Sequence, residues 1–559
     1  MNLPELNAGR LFLQRARDLA PNQPLLPEKA RPPIVFKKEA LSLEPYTGVW
    51  DMDAAAHLLR RTIFGPQAAE IGQVKDLGLE SALEILLEEL PLPAPPLNIA
   101  PNDPVVPLGQ TWVNAAINNE VEGLRLQSLV AWWNHQFFTQ GLSLREKMVL
   151  FWHNHFVTEI EIVADSRYSY RYANLLRQHA LGNFQTLTEA ITVSPAMLRY
   201  LNGSENRAGA PNENYARELF ELFTIGKGPQ IGEGNYTHYT EADVVAAARV
   251  LTGWRDRPVQ IDVVFQEGFH DTGDKQFSEA FDNQVIGNLG AEEYKALIAM
   301  IFAREETARF LCRKLYRWLV YYQIDEAVEE NIIAPLAQIL RDHQYEIKPV
   351  LRALLGSTHF FSAEVSGAAI KSPIDFVVGT FRQLEIAFPA SENLLAYYDA
   401  GLVSYYLTAL QEMFLGTPPG VAGWPAYYQA PQWQQLWINS VSLPFRRQLS
   451  DALTITGLNR DGYRLETDPI ALILALEVPD DPNRVVEDLA RRFFPLALTD
   501  NQKLFLKNTL IPGLPDFEWT AEWNGLMANP QDEALRMAVS NKVRALLNRM
   551  LALAEYHLQ

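Results

Sequence analysis

The chain has 559 residues, of which 48% are hydrophobic and 21% charged, and its formal net charge at pH 7 is −19. A chain of this length exceeds one simple core and predicts roughly two or three packed helical units. Because nothing supplies a basic stripe for phosphate groups, we expect no nucleic-acid partner. The single cysteine, Cys312, excludes an intrachain disulfide and a thiolate metal cluster.

Targeting and membrane signals are the next features to consider. Residues 1–21 contain no basic segment followed by an apolar run, so no secretion signal is expected and the cytoplasm is the default location. No stretch reaches the roughly 18 consecutive apolar residues that a membrane helix needs. We therefore expect no membrane span.

Hydrophobic periodicity divides the chain into five regions. They are an extended Pro-rich arm (1–50), an N-terminal helical region (51–200), a central motif region with minor β structure (201–290), a helical region ending in an aromatic Pro/Gly-rich loop (291–440) and a C-terminal helical region (441–559). The predicted fold class is mostly α: a multi-helix globular array with a small β-hairpin insertion in the central region.

The motif FWHNHF places two histidines at the end of a predicted helix, residues 143–156. His153 and His155 lie about 200° apart on a helix and cannot both bind one ion unless the helix ends near Trp152. Helical phase turns His155 inward and His153 roughly away. His155, with or without His153, is a candidate metal ligand or proton-transfer group. The alternative is a core histidine bonded to a buried carboxylate.

The stretch 211–254 carries the densest set of ionisable groups among apolar positions, and its first helix is predicted from Asn212 to about Thr224. Two neighbouring columns of this helix hold polar side chains: Glu213, Arg217 and Glu221 in one, Asn214 and Glu218 in the other. Glu213, Arg217 and Glu218 are candidates for acid–base work, and Asn214 with Glu218 for metal binding. The alternative is a solvated ladder in which Arg217 pairs with Glu213 and Glu221.

A second helix and a hairpin follow. Thr240 is a predicted N-cap, with Asp243 reaching back in a capping box, and Val244–Leu251 reads as a buried helix. The alternating, β-branched segment Val259–Phe265 is the best strand candidate, and Gln276–Phe281 is its predicted hairpin partner.

The segment FHDTGDK, residues 269–275, presents a histidine beside a carboxylate in a turn. His270, Asp271 and Lys275 are candidate catalytic groups, and His270 with Asp271 are candidate metal ligands, because such a pair commonly presents a ligand or a base. Turn chemistry alone also favours Asp-x-Gly-Asp, which is the competing explanation.

The loop 413–440 is rich in aromatic residues, Pro and Gly. Trp424, Trp433 and Trp437 form a candidate contact surface for a protein or a carbohydrate, because so many rings are costly to leave in water. The alternative is a loop whose rings pack on one another.

Several catalytic templates have no support. The chain lacks GxGxxG after a strand, a phosphate loop ending in Gly-Lys-Ser/Thr, HExxH and GxSxG. Nucleotide binding, zincin chemistry and the α/β-hydrolase template therefore have no motif behind them.

Long blocks resemble the bacterial family called domain of unknown function 1800 over about residues 50–450. The blocks are AAHLLRRTIFGP, REKMVLFWHNHFVT, NENYARELFELFTIG, YTEADVVAAARVLTGW, FHDTGDKQF, FLCRKLYRWLV, STHFF with IKSP, and PPGVAGWP. The resemblance implies no activity, because the family has none established. It does imply a partner from the family called domain of unknown function 1501, often encoded alongside. Many members look exported, so an extracytoplasmic location stays open.

Two hypotheses follow, and whether the chain is an enzyme is left open between them. In the first, His155, the Asn214/Glu218 face and the His270–Asp271 pair converge beneath the second helix to bind a divalent metal ion or perform acid–base chemistry, hydrolysis being the least specific guess. In the second, the chain is a non-catalytic scaffold or assembly partner that uses the loop 413–440.

Overall fold

A computed structural model of the protein describes Lys37 and residues 41–559. Most of the predicted Pro-rich arm, residues 1–36 and 38–40, thus lies outside the described residues. The described chain is 56% helical with four small two-stranded antiparallel sheets, which confirms the predicted mostly α fold with small β-hairpins. No helix in this part of the chain is long and apolar enough to cross a lipid bilayer.

Along the sequence, α-helices lie before, within and after the central stretch 211–254. The α-helices up to it are Met52–Thr62, Ala68–Leu77, Leu79–Leu86, Glu122–Thr139, Arg145–His155, Ile160–Val163, Ser166–Gln178, Phe184–Thr192, Pro195–Tyr200, Asn214–Glu218 and Glu241–Val250. Those after it are Glu293–Phe302, Glu305–Leu319, Glu326–Val328, Ala334–Asp342, Ile347–Leu355, Pro373–Gln383, Leu394–Ala409, Ser442–Asp451, Pro469–Leu474, Pro482–Phe493, Asp500–Leu510, Asp516–Ala528 and Glu533–Leu551. Three π-helical segments, Leu219–Thr224, Glu329–Ile333 and Ala452–Thr456, interrupt or extend them.

Four antiparallel pairs make up the β structure. They are Gln230–Gly232 with Asn235–Tyr236, Trp254–Arg257 with Asp262–Phe265, Lys275–Gln276 with Val285–Ile286, and Leu458–Arg460 with Tyr463–Leu465. The predicted pairing of Val259–Phe265 with Gln276–Phe281 is therefore wrong. Each strand pairs with its nearest neighbour in sequence, which needs only a short turn and the smallest loss of loop entropy.

The core consists of two hydrophobic clusters joined by the helix Pro373–Gln383. All of this helix is buried: Ile374 and Val378 pack in the larger cluster, while Phe376 and Val377 pack in a second cluster formed mostly by residues 449–556. Because this helix belongs to both clusters, the clusters do not test the division of the chain into five regions, which stays a prediction.

The central helix begins as an α-helix at Asn214–Glu218 and continues as the π-helix Leu219–Thr224. A π-turn changes both the helical phase and the hydrogen-bond pattern of the last carbonyls. The next helix, Glu241–Val250, begins as predicted: Thr240 is its N-cap and the capping box with Asp243 is present.

The aromatic loop is packed against the protein. Gly423 has φ +88, and a Cβ there would meet the backbone oxygen of Asn154 at 2.5 Å, so only glycine permits this approach. The amide of the next residue, Trp424, donates to Asn154 Oδ1 at 2.9 Å. The indole of Trp424 is only 1% exposed, whereas Tyr428 in the same loop is 47% exposed.

Replacing Trp424 tests this packing. We expect Trp424→Ala to lower the free energy of unfolding by about 3–5 kcal/mol, because it removes a large buried ring and leaves a cavity. Tyr428→Ala, in the same loop, is the matched control and should cost less than about 1 kcal/mol. Chemical denaturation of both variants measures the difference, and equal losses would contradict a buried role for Trp424.

Candidate functional site

The structure gives each of the three predicted segments its own partners. The ring of His155 is buried, and its Nε2 donates to the carbonyl of Phe223 at 2.9 Å, at the end of the π-turn. Lys314 donates to the adjacent carbonyl, that of Leu222, at 2.8 Å. Burial, with the Lys314 charge second, lowers the pKa of His155 well below its usual range. His155 thus caps a helix end through a carbonyl, not through a carboxylate.

His153 was expected to face away from the interior, and this is wrong. Its ring lies between Trp133 and Trp424, with ring centroids at 5.1 Å and 5.8 Å, and it is as buried as His155. The helix Arg145–His155 is covered on several sides, so helical phase alone does not separate inside from outside. Burial lowers the pKa of His153 to about 3, and neither ring nitrogen has a partner among the described residues.

The charged face of the central helix forms ion pairs, but not all those predicted. Arg217 pairs with Glu213 at 3.0 Å and with Glu241 of the following helix at 2.7 Å. Glu221 pairs instead with Lys227 at 3.0 Å, because the π-turn moves Glu221 out of the column that Arg217 occupies. The predicted pairing of Arg217 with Glu221 is therefore wrong.

Asn214 and Glu218 occupy different environments. Asn214 is exposed, whereas Glu218 is partly buried. Burial, followed by the nearby charge of Glu221, raises the pKa of Glu218, so this carboxyl holds its proton more readily than an ordinary glutamate.

His270 belongs to a fully buried charge cluster that also contains Lys275 and Glu293. The two oxygens of Glu293 face His270 Nε2 at 3.0 Å and Lys275 Nζ at 2.5 Å. The other ring nitrogen of His270 lies 3.0 Å from the carbonyl of Thr252. Both nitrogens are thus engaged within the protein, and the cluster fixes the segment that carries Phe269 at the surface.

Asp271 faces the other way, toward Arg249. The two side chains form a bidentate pair with distances of 2.8 Å and 3.0 Å. The hydrogen bonds from Arg249 hold the pKa of Asp271 below its usual range.

No hydrogen bond or ion pair within the described residues joins His155, Glu218 and His270 to one another. In the same part of the chain, no group of three or more His, Cys, Asp or Glu side chains is placed to hold a metal ion. The divalent-metal hypothesis stays a prediction from the sequence.

Two of the three tryptophans named as a contact surface are buried. Trp424 and Trp437 lie in the core, while Trp433 is partly exposed, with the Arg317 guanidinium 4.7 Å from its ring centre. A contact surface in the loop 413–440 stays a prediction, and in this structure it would depend on Trp433 and its exposed neighbours.

A surface cleft of about 740 Å³ lies directly before the central helix. Its lining residues come from the loop 203–213, the strand Trp254–Arg257 and the 3-10 turn that ends at Phe269. They are Ser204, Glu205, Arg207, Ala210, Pro211, Asn212, Glu213, Arg255 and Phe269. Glu213 is the one predicted site residue among them.

Asn206 holds the loop 203–213 in place. Its buried side chain donates to the carbonyl of Ala248 at 2.8 Å and accepts from the amide of Asn212 at 2.9 Å. Its own carbonyl accepts from Arg255 at 2.9 Å. Ser204 is anchored as well, because its hydroxyl donates to Asp256 at 2.7 Å. The cleft therefore has a fixed wall.

Two guanidinium groups, those of Arg207 and Arg255, supply the positive charge of the cleft. Arg255 is partly buried and donates from one nitrogen to two main-chain carbonyls, those of Asn206 and Trp254. Burial, with the Arg207 charge second, lowers the pKa of Arg255. The Arg255 guanidinium also lies over the ring of Phe269 at 4.7 Å. Neither arginine forms an ion pair with a described carboxylate.

A small cavity of about 10 Å³ lies next to the cleft; Asn212 lines both spaces, and Asn206 lines the cavity. Its walls also include Thr192 and Tyr215, whose hydroxyls are 2.7 Å apart. A space of this size is just large enough for one water molecule.

Sequence reasoning missed Arg207, Arg255 and Asn206, which shape the cleft. The available signal was an arginine in the loop 203–213 and another directly after the strand-initiating Trp254. It also missed Glu293, which lies 23 residues beyond His270 and is brought to it only by the fold.

The described chain is thus a mostly helical protein with a mixed-charge cleft at one end of a helix that contains a π-turn. It belongs to the family described as Protein of unknown function (DUF1800), whose model matches residues 57–551. The predicted family is confirmed, and the match extends well past the blocks recognised in the sequence. Searches of curated proteins and of solved structures found no match.

Acid should destabilise the protein partly through His153. Its pKa is about 3 in the folded state against an ordinary value of 6.5, so below pH 6.5 only the unfolded state takes up the proton. Stability from this group is therefore complete above pH 6.5 and falls by up to about 1.4 kcal/mol per pH unit on the way to pH 3. His153→Phe removes this loss.

Urea unfolding of both proteins at about pH 7.5 and pH 4.5 measures the effect. We expect the stability of His153→Phe relative to wild type to increase by about 2.7 kcal/mol at the lower pH. Parallel pH profiles would contradict a neutral, buried His153.

Glu293 should be essential to the buried cluster. Glu293→Gln leaves the Lys275 ammonium without its counter-charge and should cost about 3–5 kcal/mol in the free energy of unfolding. The adjacent Glu292→Gln breaks only the exposed pair with Lys295 and should cost less than about 1 kcal/mol. Denaturant titration compares them, and a loss below about 1 kcal/mol for Glu293→Gln would refute the cluster.

Proposed function

We propose that this protein binds a small ligand with one anionic oxyacid group in the cleft formed by the loop 203–213, Arg255 and Phe269. The observation that carries the proposal is the pair of neighbouring guanidinium groups without a carboxylate partner. Like charges at close range are unfavourable, and an anion placed between them would relieve the repulsion and supply hydrogen-bond acceptors.

The charges of the cleft favour a ligand with a single negative charge. Arg207 and Arg255 contribute two positive charges, and Glu205 on the rim contributes one negative charge. Glu213 also lines the cleft, and it shares its partner Arg217 with Glu241. The surplus in the cleft is therefore at most one positive charge, which complements a monoanion such as a carboxylate better than a multiply charged ligand.

Phe269 supports an apolar or ring-shaped portion beside the anionic group. Its side chain is 41% exposed, and Arg255 covers only one part of the ring. An exposed aromatic face next to fixed polar groups is typical of small-molecule sites, where apolar contact provides affinity and a few polar groups set the orientation.

The acid–base hypothesis enters this proposal in a reduced form. Glu218 has a raised pKa and lies five residues beyond Glu213 on the same helix, so it remains the best candidate for proton transfer. His155, through Nε2, and His270, through both ring nitrogens, are bonded within the protein and act instead as positioning residues. Three further proposals are separate from this one: chemical change of the bound ligand, participation of a divalent metal, and a partner from the domain of unknown function 1501 family.

Titration with benzoate, and with benzamide as its uncharged analogue, tests the proposed function. Benzoate offers a carboxylate for the arginines and a ring for Phe269, and Trp254, which borders the adjacent cavity, provides a fluorescence signal. We expect saturable binding of benzoate and much weaker binding of benzamide, because only the former supplies charge-assisted hydrogen bonds.

Arg207→Met is the decisive variant, since Arg207 is exposed and no hydrogen bond connects its side chain to the described chain. We expect at least about tenfold weaker benzoate binding, with no loss of thermal stability. Arg536→Met, an exposed arginine on the closing helix Glu533–Leu551, is the matched control. Equal affinity for benzoate and benzamide, or unchanged affinity in Arg207→Met, would overturn the proposal.

A further inference from the structure

A second concentration of charge lies far inside the protein, where the helix Pro373–Gln383 begins. Four cationic side chains and one carboxylate, all buried, interact there: Arg61, Lys147, Lys371, Arg446 and Asp375. They come from elements of both hydrophobic clusters, so the group lies where the two parts of the core meet.

The single carboxylate is already used. Asp375 accepts from the Lys147 ammonium, and its second oxygen accepts from the Ser372 hydroxyl at 2.8 Å and from Gln559 at 3.4 Å. Arg61 donates only to the carbonyls of Val320 and Val365. The Arg61 guanidinium is therefore hydrogen-bonded to neutral carbonyls and is not paired directly with Asp375.

Arg446 is the most incompletely satisfied of these groups. It is fully buried, and one of its nitrogens donates to the carbonyl of Lys371 at 2.7 Å. Its Nε and Nη1 have no partner among the described residues. Burial lowers its pKa to about 9, which still leaves the guanidinium charged at neutral pH.

Lys371 lies beside Arg446 and has no described carboxylate partner either. Its ammonium lies 3.9 Å from the ring centre of Tyr556, and the Arg446 guanidinium lies 4.7 Å from that of Phe376. These ring faces offset part of the charge, but they offer no acceptor to the unpartnered N–H groups of Arg446. Burial, with Arg60 second, lowers the pKa of Lys371 well below its usual range.

The surplus of buried cations requires an explanation. Among the charged side chains of this group, Arg61, Lys147 and Arg446 carry three positive charges against the one negative charge of Asp375, before Lys371 is counted. Buried ions without a counter-charge are strongly unfavourable, and buried N–H groups are almost always bonded. A bound anion that accepts from the unpartnered N–H groups of Arg446 would satisfy both requirements.

We propose that Arg446 and Lys371, at the start of the helix Pro373–Gln383, bind one small inorganic oxyanion of the phosphate or sulfate type. The anion is small because its ligands are buried, and an oxyanion is favoured over a halide because Arg446 presents two unpartnered N–H groups that two oxygens of one oxyanion can accept together. It stabilises the junction between the two hydrophobic clusters. This site is separate from the surface cleft and does not depend on the proposed function.

Direct analysis of the full-length protein is the first test. After extensive desalting into a chloride buffer, the protein is unfolded in acid and the released phosphate and sulfate are measured by ion chromatography. We expect about one oxyanion per chain, since dissociation requires opening a buried site. Lys371→Met should release much less, whereas Lys295→Met, which removes an exposed lysine, should match wild type.

Thermal unfolding at constant ionic strength is the second test, with phosphate progressively replacing chloride. Wild type should show a Tm that rises and then saturates, as expected for a bound ligand, and Lys371→Met should lose the saturating component. A general salt effect instead raises the Tm without saturation and equally in all variants.

Absence of a retained oxyanion together with equal, unsaturated phosphate profiles in wild type and Lys371→Met would overturn the proposal. So would retention of the oxyanion by a folded Lys371→Met variant at the wild-type level. The measurement on wild type needs no substitution, so it decides the question even if Lys371→Met fails to fold.

Discussion

The helix Pro373–Gln383 is the constraint on which the rest of the structure depends, because it is buried on every side and belongs to both hydrophobic clusters. Its position is set by close approach as well as by burial. A Cβ on Gly65 would lie 2.3 Å from the Cα of Gly379, so the turn after the first helix touches this helix backbone to backbone. The contact with Asp375 ties Lys147 to the same helix. The two hydrophobic clusters, the turn at Gly65 and the ion pair with Lys147 therefore each fix the position of the helix Pro373–Gln383.

The surface cleft is far simpler in construction, yet it relies on buried polar groups in the same way. Glu293 holds His270 and Lys275, and these hold the segment whose Phe269 reaches the surface. Asn206 holds the loop 203–213 in the same way. Binding groups on loops gain precision when such satisfied interior contacts fix the loops. Of the histidines singled out in the sequence, His270 is the one whose contacts hold a segment of the cleft wall in place.

The features that sequence could predict are those with local causes. Helical periodicity gave the mostly α fold, and the hydroxyl of Thr240 followed three residues later by Asp243 gave a helix start that the structure reproduces. Features that depend on meetings across the chain were missed. Nothing near His270 reveals Glu293, and nothing near Lys147 reveals Asp375, 228 residues away. The π-turn was also missed, because the same residues fit an ordinary helix, and that error displaced Glu221 in the predicted column. The burial of His153 was missed because helical phase assumes a single covered face.

The π-turn of Leu219–Thr224 has a mechanical consequence. It leaves the carbonyls of Leu222 and Phe223 to be bonded by Lys314 and His155, side chains that belong to two other helices. The end of the central helix is therefore clamped by elements 68 and 92 residues away along the chain. Displacement of Glu213 by a ligand at the opposite end would be resisted by all three helices together, so the central helix should move as a rigid segment and not bend.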